Sequence, residues 1–337
     1  MLETIITAPF TIECRETKIP EIGDNEVLVK VERAGICASD VQVYHGLHKY
    51  VTYPLIQGHE AVGYVEAVGS LVDHVKVGDK VAIQPQLACG HCFACKQERP
   101  NVCETLRHFG ISSPGLFVEY AAVPAWNAVK LSSDMDFDKG VFIEPLSIAC
   151  NAIEKGNVKA GDRIVVIGAG LIGNLIAQTA RIKGAEVLVT DVMQSKLDLI
   201  KKHGIKYCVN TTQEKLSDAI KQVFGDQGVH VIYECAAVES SFEQAISCAS
   251  KASTIVIVGN FKKPYLLEIP LLQRREIALL SVMGTSRKNF IESCEIMASG
   301  LINLEGLISG RFPLNELAKA YQYIDEKKDI LKVLLDV

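Results

Sequence analysis

The chain has 337 residues, 48% of them hydrophobic and 22% charged, with a formal net charge of −5. That is the balance of a globular protein with a sizeable core, and the length suggests two domains. No basic run is longer than a pair, and a nucleic-acid footprint needs a clustered basic face, so that class of partner is disfavoured.

No apolar run reaches the ~18–20 residues of a membrane span. The N-terminus shows no basic segment leading into an apolar core, so a cytoplasmic setting is the default. Eleven cysteines in such a chain read as thiols and metal ligands rather than a disulfide framework. Residues 5–7 and 26–33 read as strands, the second alternating apolar and charged residues after an Asp24-Asn25 turn. Residues 61–83 continue the β pattern, with Val77-Gly78-Asp79-Lys80-Val81 turning into another strand. Together they predict a predominantly β, loop-rich domain.

After Asp138 the texture changes. A helix is predicted over 141–156, then strands at 164–167, 187–190, 207–209, 231–234 and 254–258, separated by helix-length segments. Such alternation implies βαβ units and a parallel sheet. The unbroken apolar run 164–167 suits a strand covered on both faces. Beyond Pro270 the pattern is mixed, with helices at 287–299 and 314–327 and a closing strand at 331–335.

Gly168-Ala169-Gly170-Leu171-Ile172-Gly173 follows the buried strand and opens a helical stretch, and Asp191 ends the next strand 18 residues beyond Gly173. In that context G-x-G-x-x-G is a dinucleotide fingerprint. Its glycines permit a tight turn and close backbone approach, and the helix N-terminus meets the pyrophosphate. A carboxylate at Asp191 accepts from ribose hydroxyls and repels a 2′-phosphate, which favours NAD over NADP.

Cys89, Cys92, Cys95 and Cys103 stand as C-x2-C-x2-C-x7-C. Four thiolates on one loop close a tetrahedral shell with no open position, which is a structural zinc site. An iron–sulfur cluster is the rival, but its ferredoxin spacing shortens the last interval to three residues and adds a proline. Apart from Cys37, the six remaining cysteines fall mostly in apolar segments, and most of them are expected in the core.

A second metal site is suggested by Cys37, by His59-Glu60 22 residues later, and by Glu144 in the apolar Phe142-Ile143-Glu144-Pro145 segment. A carboxylate there is costly unless it is paired or ligating. Each residue also has a plainer reading: a buried thiol, a core histidine, a carboxylate in the first turn of a helix.

At these residues the chain resembles the zinc-dependent medium-chain dehydrogenases. Cys37-x-Ser39-Asp40, Gly58-His59-Glu60-x-x-Gly63, the four-cysteine lobe, Glu144-Pro145 and the glycine fingerprint occur in that family's order across essentially the whole chain. The Glu-Pro-Leu-Ser segment is similar to the polyol (sorbitol) dehydrogenase side. The resemblance implies a GroES-like catalytic domain over 1–145 and 285–337, with a Rossmann domain over 146–284. It also implies a catalytic zinc held by Cys37, His59 and Glu144, directly or through water, with Glu60 able to exchange in. Ser39 matches the hydroxyl that relays the substrate proton, and Asp40 a carboxylate that orients the histidine. Where many relatives carry a relay histidine this chain has Gln42, which leaves His45 and His48 as candidates for the proton's exit.

Arg287, in Gly284-Thr285-Ser286-Arg287-Lys288-Asn289, falls near a position that is an arginine at the substrate cleft of polyol dehydrogenases. That run also looks like the branch containing L-galactonate and L-gulonate 5-dehydrogenases and starvation-sensing homologues. The expected activity is therefore NAD-dependent oxidation of a secondary hydroxyl on a small polar substrate, a hexonate or a neutral polyol. A homo-oligomer, dimer or tetramer, is implied, with an edge strand near 279–283. Two other classes fit part of the pattern. A zinc-stabilised, non-catalytic binding module needs only the cysteine lobe, and a zinc-free quinone-type reductase needs neither metal motif.

Overall fold

The alternating run beginning at Glu26 forms strand Glu26–Ile36, and this strand is the spine of a seven-stranded sheet. The computed structural model describes residues 1–327 and 329–337; Lys328, inside the predicted 285–337 segment, lies outside the described residues. The chain divides into two compact units, one of Met1–Glu144, Thr285–Ser299 and Leu307–Val337, the other of Pro145–Gly284 and Gly300–Gly306.

In the first unit the sheet runs Ile308–Pro313, Lys332–Asp336, Glu26–Ile36, Glu60–Val68, Lys80–Ile83, Ala128–Lys130, with Tyr120–Pro124 also on the spine. Register fixes what meets at its end. Gly35 lies opposite Glu60 and Val333 opposite Ile36, so the start of two strands and the exit of the spine share one edge. Val27, Val29, Val31, Val65, Phe117 and Leu335 fill the core beneath. At Gly63 a side chain is impossible, because a β-carbon would sit 1.9 Å from the Lys30 carbonyl oxygen. The helix expected over 141–156 forms as Ile143–Lys155, and a short one, Phe137–Val141, comes first. Asp136 caps the first by accepting from the Asp138 N–H at 2.8 Å.

The second unit holds a six-stranded sheet. Every strand pair is parallel, in the order Tyr207–Asn210, Glu186–Asp191, Arg163–Ile167, Val231–Glu234, Thr254–Ile257, Ala278–Ser281. Numbered along the chain this is 3-2-1-4-5-6, the doubly wound arrangement whose crevice opens where the order reverses, between Arg163–Ile167 and Val231–Glu234. The fully apolar central strand lies at the middle of the core. Among the described residues no helix is long and apolar enough to cross a membrane.

Gly300–Gly306 is tied into this unit by a buried polar network. Gln178 exchanges two hydrogen bonds with the Asn303 backbone, at 3.0 and 2.8 Å, and His203 Nε2 donates to the Glu305 carbonyl at 2.8 Å. His203 is 2% exposed, and burial lowers its pKa below the ordinary value of 6.5. The unfolded chain therefore takes up a proton first, so this contribution is complete above pH ~6.5 and shrinks as pH falls below it. Urea midpoints measured from pH 7.5 to 5.5 should fall more steeply for the parent than for His203→Gln; parallel slopes would contradict the assignment.

Candidate functional site

The spine strand ends at Ile36 and the chain turns at once into helix Ala38–Tyr44, with Cys37 at its N-cap. Asp40 answers the cap: one carboxylate oxygen accepts from the Cys37 N–H at 2.9 Å. The other lies 3.4 Å from His59 Nδ1, close enough for charge attraction but not aligned as a hydrogen bond. The Asp40 carbonyl accepts from Gln57 Nε2 at 2.8 Å, and Gln57 Oε1 accepts from the Tyr321 hydroxyl at 2.6 Å. All four side chains are buried. Asp40 is thus fixed by the Cys37 N–H and the Gln57 amide and lies in charge contact with the His59 ring.

The ligand atoms of Cys37, His59 and Glu60 all lie within 4.8 Å of one another. Burial opposes charge on His59, but Asp40 and Cys37 outweigh it and hold the imidazole's pKa well above its ordinary value. Glu60 is ion-paired to Lys332, whose Nζ stands 2.7 Å from Oε1 and also contacts Oε2. Glu144, 7% exposed, is outside the group within 4.8 Å but in the same electrostatic neighbourhood. Its burial pushes its pKa up to about 7, with His59 pulling it down and Glu60 pushing it further up. It is the second residue of helix Ile143–Lys155, with Pro145 in the first turn as the sequence suggested.

These residues fit a metal. A sulfur, a nitrogen and a carboxylate oxygen converge, the donor set that zinc takes. Asp40, Glu60 and Glu144 are all buried, and Lys332 is the only buried lysine or arginine among the described residues.

Two neighbours were not found from the sequence. Lys332 interrupts an apolar closing strand, a signal that was there to read. His108 stacks edge-on to His59 with ring centroids 5.2 Å apart. Burial, reinforced by His59, lowers its pKa to about 4, so it stays neutral. Ser39 is half-buried on the helix after Cys37. Of the two exit candidates, His45 is committed to Asp325 at 2.9 Å and stacks on Phe10. His48 Nδ1 is buried without a hydrogen-bond partner, and burial lowers its pKa.

Cys89, Cys92, Cys95 and Cys103 also bring their sulfurs within 4.8 Å of one another. The Cys89 N–H donates to Cys103 Sγ at 3.3 Å and the Cys92 N–H to Cys89 Sγ at 3.4 Å, as backbone donors do around thiolates. Backbone donors from His91 and Cys92 bring the Cys89 pKa down to about 6. Burial and the Cys92 thiol drive Cys95 up to about 12. Four sulfurs at this range cannot all ionise without a cation, and Cys92 and Cys103, at 3.8 Å, are far beyond disulfide length. All eleven cysteines are free. The core expectation for the remaining six is corrected: only Cys150 is buried, Cys14 is exposed, and Cys208, Cys235, Cys248 and Cys294 are half-buried.

In the second unit Gly168 takes φ +103°, and a β-carbon on Gly173 would meet the Gly168 carbonyl at 1.8 Å, so the helix packs directly on the turn. Gly170, the N-cap of helix Leu171–Ile182, faces open space where a β-carbon would meet nothing within 4 Å. The first-turn N–H groups of Leu171 and Ile172 stand ready for phosphate. Asp191 stitches this turn together, one oxygen accepting from the Ala169 N–H at 2.7 Å and the other from Met193 at 2.8 Å. The cradle fits a dinucleotide.

Arg287 opens helix Arg287–Ala298. Its guanidinium lies 4.6 Å over the Trp126 ring and donates to Gln84 Oε1 at 3.4 Å. Neither contact is with a carboxylate.

Residues 23–133 match the family described as alcohol dehydrogenase GroES-like domain, and residues 172–299 match zinc-binding dehydrogenase. The starvation-sensing protein RspB of Escherichia coli K12 is 34% identical over 99% of both chains. The 2-dehydro-3-deoxy-L-galactonate 5-dehydrogenase of Pseudoalteromonas atlantica is 31% identical over 94% of this chain and 92% of its own. Among solved structures, an alcohol dehydrogenase (rspB) of E. coli CFT073 complexed with NADH superposes with a TM-score of 0.93 at 33% identity, covering 100% of this chain and 99% of that one. The chain belongs to the zinc-binding alcohol dehydrogenases, oxidoreductases that act on CH–OH groups with zinc and NAD. The expected fold class, a GroES-like domain with a Rossmann domain, is borne out.

If both metal centres are built as their geometry suggests, the purified protein carries about two zincs per chain. Cys92→Ala and His59→Ala should each leave about one, measured by elemental analysis, and the double variant none. Equal zinc in parent and His59→Ala would remove the catalytic centre from the scheme.

Proposed function

We propose that this protein catalyses reversible, zinc- and NAD-dependent oxidation of a secondary hydroxyl on a sugar acid, a hexonate such as L-gulonate or L-galactonate, to the keto acid. The observation that carries the reading is the convergence of Cys37, His59 and Glu60 beside an Asp40 locked in place by Cys37 and Gln57. A binding module built on the cysteine lobe has no use for such a centre. Residues 1–145 and 285–337 then form the catalytic domain and 146–284 the dinucleotide domain, with homo-oligomeric assembly and a cytoplasmic setting.

In this scheme Cys37, His59 and Glu144 hold the catalytic metal, with Glu60 beside them, and Cys89, Cys92, Cys95 and Cys103 hold the structural one. Bound zinc supplies Lewis acidity toward the substrate hydroxyl, and NAD accepts the hydride. Asp40 keeps His59 in its ligating orientation. Ser39 takes the hydroxyl proton and passes it on, and His48 replaces the missing histidine at Gln42 as its outlet. Gly168, Gly170, Leu171, Ile172 and Gly173 bind the pyrophosphate, and Asp191 selects the ribose with free hydroxyls. Arg287, half-buried and with no carboxylate partner among the described residues, is held by Trp126 and Gln84 to receive the substrate carboxylate.

A panel of hexonates and neutral polyols with NAD and NADP, following reduced cofactor, tests the substrate. Arg287→Ala should lower kcat/KM for hexonates by about 10–100-fold, the worth of a charge-assisted pair, and leave polyols little changed. Equal turnover of both classes, unaffected by the substitution, would sink the carboxylate role. Asp191→Ala should raise the KM for NAD more than that for NADP.

A further inference from the structure

We propose that Lys332 is a positioning residue that ties the Glu60 carboxylate back from the catalytic metal and so keeps a coordination position open for substrate. The inference rests on the metal centre proposed above and concerns its control. It starts from register: the closing strand Lys332–Asp336 and strand Glu60–Val68 flank the spine strand on opposite sides. Lys332 must reach across the spine to touch Glu60, and the spine residue opposite Glu60 is Gly35. A β-carbon there would stand 2.2 Å from Glu60 Oε2 and 2.7 Å from a Val141 methyl. The absent side chain is the space in which the carboxylate lies.

An ammonium has three N–H donors. Lys332 Nζ meets both Glu60 oxygens and, at 3.2 Å, the Ile36 carbonyl, so its donors are matched by acceptors. Lys332 and Glu60 are 2% and 1% exposed, so water hardly screens the pair. The Ile36 carbonyl immediately precedes Cys37, and the tether is therefore anchored at the root of another ligand.

Glu60 and Glu144 both serve one small centre, and Glu60 is gripped through both oxygens. Released, Glu60 already has an oxygen within 4.8 Å of the Cys37 and His59 donors. A cysteine, a histidine and two carboxylates would then close a four-ligand shell, the form of a structural rather than a catalytic site. Lys332 keeps the shell from closing.

The test follows transfer of zinc from the full-length holoprotein to a chromogenic chelator, the catalytic phase being the one missing in His59→Ala. Lys332→Met should slow that phase by about tenfold or more and lower kcat by a similar factor, the scale of a residue that acts through a metal ligand. Adding Glu60→Gln in the same background should return zinc release toward the parent rate, and Lys332→Arg should keep it within about twofold. Unchanged release in Lys332→Met, or slow release that persists when Glu60→Gln is added, overturns the proposal. Should Lys332→Met fail to fold, Glu60→Gln alone decides. Release within about twofold of parent supports a tethered carboxylate, and release about tenfold faster shows a standing ligand and overturns it. A parent protein holding only one zinc per chain overturns the metal centre, and the tether with it.

Discussion

Burying charge is expensive, and this protein does it several times over within one small volume. Asp40, Glu60 and Glu144 lie beneath the surface with a thiol and an imidazole among them, and a single ammonium offsets them. Isolated carboxylates in such surroundings would protonate or draw in water. Here each is accounted for separately: Asp40 by a helix cap and an imidazole, Glu60 by Lys332, Glu144 by a pKa near neutrality. What remains is a set of soft and hard donors facing one another, the kind of set that zinc takes.

The sheet register is what makes that concentration possible. The spine strand delivers Cys37 and leaves a gap at Gly35, its neighbour on one side delivers Glu60, and the strand on the other side delivers Lys332. A shift by one residue in either pairing would turn Glu60 or Lys332 to the opposite face. The long valine-rich core of this unit holds the register, so packing far from the metal centre determines its chemistry. The second unit works by the same economy. Its glycine turn is shaped by one close approach at Gly173, one open face at Gly170 and one carboxylate, Asp191, that binds the turn before any ligand arrives.

Local patterns in the sequence carried most of this. The apolar run at 164–167, the glycine spacing and the four cysteines each state their structure within a dozen residues, because turns, helix starts and loop-borne ligand sets are local devices. Cys37, His59 and Glu144, with Glu60 as an exchanging neighbour, became a group through family resemblance; the spacing alone left each with an ordinary reading. Long-range partners were the hardest to read. Lys332 and Glu60 are 272 residues apart, and Tyr321 and Gln57 are 264 apart. Nothing in either neighbourhood names the other. The half-buried cysteines were misjudged because an apolar segment says that an element has an inner face, not that a given residue lies on it. His45 looked available until the fold supplied Asp325.

The closing strand has a consequence for how the protein comes into being. Lys332–Asp336 pairs with the spine strand Glu26–Ile36, Lys332 reaching a carbonyl 296 residues earlier in the chain. The six strands of the parallel sheet are already complete by Ser281, and a domain of that kind folds as a unit once its own segments exist. The other unit cannot finish until Lys332–Asp336 has joined its sheet. Until then Glu60 lacks its Lys332 partner. Docking of this strand is therefore also the step that pairs the buried carboxylate, and loss of the strand would be felt first at Glu60.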